Sequence, residues 1–448
     1  MTETNAIVRY AEALVPKSSK AHVAGSAMGA LGGAVFMAWS YSTFTAKGCK
    51  FVENSARGAR ILNWGGALNA LGGTVELEET IAYRNTVVGG LHSALGGFLC
   101  ATFAMVLISN SELIGNEAWG RSTAIFAGGG AVLVRVGSGL SSFQGTLFER
   151  NMVRDGLRSS IGGAINAAEG TTLELVDCSL RFNTVLSSQI SDGGAIRADP
   201  GANVTIGRTT FSSNAARDGT KDSSGGSIHI DGAVVTLKAG VVFATNVAFG
   251  NSLVMGGAIA ITGLSAQLTA ADVLFVNNSA EGSLPTGGAI SAALGSDVTI
   301  CGGVFTGNSV NTMSDRGRGG AVFVEQAIVR IKGSRIHGNI ARISSTTERT
   351  MPRAAVLPLT RRGFSSLQTP NCRRIRLAEL GCTIRMVRCR WQVQYTTTSV
   401  QPISTVWMAQ CFWNVVYFRP PPMMPLLSRA CLMKAPGGWL EHHLQTPS

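Results

Sequence analysis

The sequence predicts an all-β fold: a right-handed parallel β-helix (solenoid) of about ten coils, with a largely irregular C-terminal tail. Three observations predict it. A Gly-Gly-small-aliphatic tetrapeptide recurs ten times, beginning at Gly32, Gly65, Gly96, Gly129, Gly162, Gly193, Gly225, Gly256, Gly287 and Gly319, in steps of 31 to 33 residues. A second motif, an aromatic or aliphatic residue followed three positions later by Asn, runs in phase with it. Between the two lies a short stretch that alternates apolar and polar residues, the pattern of a strand with one buried face. Gly is plentiful, at 55 of 448 residues, and no apolar run has the 3.6-residue period and length of a helix.

Each coil element follows from its residues. The Gly pair permits positive φ at a corner. The residue after the small position is Ile165, Ile196, Ile228, Ile259 or Ile290 in five successive units, and these align as one internal aliphatic ladder. Val204-Thr205-Ile206, Val235-Thr236-Leu237 and Val298-Thr299-Ile300 exemplify the alternating strand. Phe148, Phe211, Phe243, Phe275 and Phe305 form an aromatic ladder. Asn54, Asn151, Asn214, Asn246, Asn278 and Asn308 close the clear copies, and Asn85, Asn116, Asn183 and Asn339 the degenerate ones, stacking at a bend with each amide bonded to backbone or to the next Asn. A unit of about 32 residues with three short strands cannot bury its own apolar face, so the copies must stack, at roughly 4.8 Å per coil.

The paired GGA[IV] and FxxN motifs resemble the repeat of the chlamydial polymorphic outer membrane proteins. That repeat is also found in large secreted or surface proteins with a pectin-lyase-like right-handed β-helix. The resemblance covers about residues 28–342. It implies an adhesive or structural rod, no enzyme, an extracellular or cell-surface location, and carbohydrate or a cell-surface protein as partner.

The domain organisation is a ragged N-terminal segment or partial coil (1–27), the repeat array (28–342) and a basic tail rich in Pro, Cys and Trp (343–448). Residues 1–343 hold 25 Lys+Arg against 23 Asp+Glu, whereas residues 344–448 hold 13 against 3. The net charge of +12 therefore describes neither part, and the near-neutral array gives no reason to expect nucleic acid as partner. The abrupt change after Asn339, where the next Gly-Gly is missing, reads as a translation artefact, with a genuine basic extension as the alternative. The first 20 residues lack the basic start and apolar core of a secretory signal. Neither end of the array carries an obvious polar cap, which makes end-to-end self-association an expectation.

Ser26–Ala46 and Val87–Ser109 are uncharged and long enough to span a bilayer, but each carries a Gly-Gly on the repeat lattice, so both read as coils. Cys49, Cys100, Cys178 and Cys301 read as buried thiols in ladder positions. In the tail, Cys382 and Cys389 have no His nearby, and His442 and His443 stand apart, so no zinc site is expected. Phosphate-loop, dinucleotide, metalloprotease and nucleophile-elbow motifs are absent, and no cofactor is expected. Asn203-Val-Thr205 and Asn277-Asn-Ser279 are glycosylation sequons.

An enzyme of this shape needs carboxylates on adjacent coils. The candidates are Glu169, Asp199 and Asp231, six or seven residues after the first Gly of three successive units. Asn166, Arg197 and His229, two or three residues upstream, are the binding candidates, and alternation places them outside if the Ile ladder points in. Glu169-Gly170, Asp199-Pro200-Gly201 and Asp231-Gly232 are also ordinary turn sequences, and that reading stands ahead of a carbohydrate or Ca²⁺ site. Arg150, Arg154 and Arg158 read as a solvated basic loop.

Overall fold

The structure is a computed structural model that describes residues 7–11, 20–22, 29–38, 42–59, 61–121, 124–135, 139–187, 189–312 and 316–343. The tail assigned to 343–448 therefore lies outside the described residues beyond Ile343, as does most of segment 1–27. The described residues form strands and turns with no helix, stacked in parallel as a solenoid of about ten turns. Val87–Ser109, one of the two span candidates, is made of strands of three to eleven residues on the repeat lattice. Among the described residues no helix is long and apolar enough to cross a membrane.

One coil shows the plan. After Gly193-Gly194 come strands Ile196–Ala198 and Asn203–Gly207 on a first face, then Thr210–Ser212 on a second. Ala215–Gly219 and Asp222–Ser224 make two arms of a third face, which lead to the next Gly pair. Each strand pairs in parallel with its counterpart one coil on, so the three faces become sheets of 19, 10 and 18 strands. The coil thus holds five strand segments rather than the three visible in the sequence. The missed ones are the arms of the third face, whose buried positions carry small residues such as Ala216 and Ser223.

The Ile ladder pairs residue to residue, Ile165 with Ile196, Ile228, Ile259 and Ile290 in turn, and every member is buried. Phe211, Phe243, Phe275 and Phe305 stack face to face, with ring centroids 4.8, 5.1 and 4.7 Å apart. Phe148 stands outside that stack, because Leu180 occupies the intervening coil; its ring meets Phe143 instead. At about 2–3 kcal/mol for each fully buried large apolar side chain, these columns are the main favourable contribution to stacking.

The Gly pair does two different jobs. Gly193 has φ +67°, and a Cβ there would meet the Ile196 carbonyl oxygen at 2.1 Å. Gly194 needs closeness instead: a Cβ would lie 2.1 Å from Gly226 O and 2.6 Å from the backbone of Ala215, the residue after Asn214. The chain is therefore pinched between the second Gly and the residue that follows the Asn. This pinch separates a large core, with the Ile and Phe columns, from small cores between the third-face arms, such as Ala118, Ala127, Val153 and Val185.

Ten Asn side chains, from Asn54 to Asn339, form the seam beside the pinch. Asn246 is typical: its backbone N and its Nδ2 both donate to Asn278 Oδ1, at 3.0 and 2.9 Å. Its Nδ2 also donates to Phe211 O at 3.1 Å, and its own Oδ1 accepts from Asn214. Both amide protons and both oxygen lone pairs are thereby used in a fully buried position.

Candidate functional site

The Gly-Gly turn folds the strand before it against the strand after it, so the outward side chains of both flanks meet in a crease. The crease column after the turn runs Asn166, Arg197, His229, Ala260, Ser291, each in register with the next. These residues alternate with the inward Ile ladder, yet Asn166, Arg197 and His229 are only 2%, 8% and 5% exposed. The column before the turn runs Ile161, Asp192, Ser224, and Asp192 and Ser224 are likewise buried.

Arg197 is the hub. Its Nε donates to Asp199 Oδ1 at 2.9 Å, its Nη1 to Asp192 Oδ2 at 2.7 Å and its Nη2 to Asp231 Oδ2 at 2.6 Å. Its Nη1 also lies 2.7 Å from His229 Nδ1. His229 Nδ1 is 3.1 Å from Asp192 Oδ1, and its Nε2 is 3.2 Å from Thr262 Oγ1. The side chains of Asp199 and Asp231 are 21% and 38% exposed and form the outer rim. Three carboxylates thus surround one guanidinium.

The electrostatics follow. Burial pushes the Asp192 carboxyl upward, but the neighbouring His229 and Arg197 side chains outweigh it and hold the group below the usual carboxylate range. Burial works against the charge on Arg197 too, and Asp192, Asp199 and Asp231 more than restore it. Asp222, two residues before Ser224 on the third face, moves upward through burial and the neighbouring Asp192 charge.

Four of the six sequence candidates are therefore brought together: Arg197, His229, Asp199 and Asp231. Asn166 adjoins them in the column, and its buried Oδ1 has no hydrogen-bond partner. Glu169 falls outside. The register offset is 31 residues on both sides of the turn, so Ala168 stands level with Asp199, and Glu169, level with Pro200, sits exposed on the turn. Asp192, on the strand before Gly-Gly, lies outside both sequence columns; its signal is an acid five residues before Arg197 across the turn.

Among the described residues no group of three or more His, Cys, Asp or Glu side chains is placed to hold a metal ion. Cys49, Cys100 and Cys178 are buried, but Cys301 is exposed, which corrects its reading as a buried thiol. It occupies the outward position at the end of strand Asp297–Cys301. Arg150 and Arg154 are engaged rather than merely solvated, Arg150 with Glu149 and Arg154 with Glu117 and the Trp119 ring. The tail Cys and His residues lie outside the described residues.

No family model, curated protein or solved structure matches this chain.

Proposed function

We propose that the chain is a non-catalytic β-solenoid rod for adhesion or structural binding, carried on a cell surface or secreted. The observation behind this reading is the closure of the Arg197 cluster. Nε, both donors of Nη1 and one donor of Nη2 are spent on protein carboxylates and the His229 ring, so four of the five guanidinium N–H groups are taken up within the protein. The likeness of the repeat to that of the polymorphic outer membrane proteins supports the surface setting, and the exposed sequon residues Asn203 and Asn277 are compatible with secretion. Carbohydrate or a cell-surface protein is the partner class that follows.

The rival is a polysaccharide lyase or hydrolase of pectin-lyase-like fold. In its favour, the rim carboxylates Asp199 and Asp231 flank Arg197 on adjoining coils. Incubating the chain with a panel of acidic polysaccharides, and following unsaturated and reducing ends, separates the two readings. The rod reading expects no release above buffer. Release that disappears in Asp231→Asn overturns it.

A further inference from the structure

His229 sits between two neighbours with opposite demands on the same ring nitrogen. Arg197 Nη1, 2.7 Å from Nδ1, can only donate. That contact requires a lone pair on Nδ1, and so a neutral ring with its proton on Nε2, donated to Thr262 Oγ1 at 3.2 Å. This tautomer has nothing to give Asp192 Oδ1, which lies buried 3.1 Å from Nδ1. A buried carboxylate oxygen left in this state is costly.

One proton reverses the arrangement. Added at Nδ1 from solvent, it makes an Nδ1–H that donates to Asp192 Oδ1, and it sets a positive ring against the Arg197 guanidinium. Arg197 then loses an acceptor and keeps Asp192 Oδ2, Asp199 and Asp231. We propose that His229 is a proton-operated clasp in the crease, exchanging an Arg197 contact for an Asp192 contact. The groups facing it are Asp192 and Asp222 from the strands before the Gly pairs, Arg197 with Asp199 from the coil below, Asp231 on its own strand, and Thr262 from the coil above. The cluster is net negative, so an extra positive charge is drawn into it rather than refused. Three successive coils meet at this ring.

The test is ¹⁵N NMR of the full chain labelled at its six histidines, at pH 8 and pH 5. The His229 resonances are assigned by their loss in His229→Gln, and independently by their displacement in the near-isosteric Thr262→Val. At pH 8 Nδ1 is expected to resonate as an unprotonated nitrogen and Nε2 as a protonated one. At pH 5 Nδ1 is expected to shift to the protonated range, with a hydrogen-bonded proton that is lost in Asp192→Asn. A proton on Nδ1 already at pH 8, or an unprotonated Nδ1 at pH 5, overturns the proposal.

Discussion

Arg197 and its partners set the terms at the scale of single residues. Breaking a buried ion pair from one side strands the other charge, so Arg197→Ala should cost about 3–5 kcal/mol in denaturant-derived stability. The pH dependence of two acids runs in opposite senses. Asp192 is held low, so its contribution is present above the ordinary carboxyl value and is lost as pH falls through its depressed value. Asp222 is pushed up, so its ionised form penalises the fold near neutrality, and protonation in acid relieves the penalty. Asp222→Asn should therefore raise the melting temperature at pH 7, with the gain fading in acid. The thiols divide in the same way. Burial pushes Cys100 up to about 12 and Cys178 up to about 11, which keeps both unreactive. At pH 8, mass spectrometry after mild alkylation should find Cys301 modified well before either. The meeting of Arg197 with His229, Asp199 and Asp231 was legible in the sequence because those residues fall in two columns two positions apart. Asp192 was illegible because its partner lies across a turn whose concavity no periodicity reveals.

At the scale of the element, the Asn seam and the Gly pinch explain each other. Asn246→Ala removes a side chain that satisfies neighbours on both sides, and should cost about 2–4 kcal/mol. Gly194→Ala should be worse, because its Cβ collides with backbone on two sides and no rotamer avoids the clash. A gain is available nearby. Thr245 is β-branched yet holds φ +55°, so Thr245→Gly should stabilise the fold by about 1 kcal/mol, measured by chemical denaturation. The Gly and Asn positions were readable because each residue type is nearly irreplaceable where it stands. The second-face strand was readable through Phe. The third-face arms were not, since Ala118, Ala127 and Val153 fill a core too small to demand large apolar residues.

For the whole molecule, a strand pairs only with its counterparts in the adjoining coils, so stability propagates as a sum of neighbouring interfaces. Amide hydrogen exchange should follow that rule, slowest around Ile228 and Ile259 and faster in strands Arg335–His337 and Ile340–Ile343, whose apolar side chains are exposed. Uniform exchange along the array would contradict it. The overall architecture was the most legible feature of the sequence, because a period of about 32 residues repeated ten times averages out every local irregularity. The Asn seam carries one more consequence. From Asn85 to Asn308 each amide group gives a proton to the Asn of the following coil and takes one from the Asn of the preceding coil, so the dipoles add head to tail. The column is a one-way wire of polarised amides along the axis. Its two termini present opposite chemistry, so that reversing the direction of any coil added to the stack would set proton against proton.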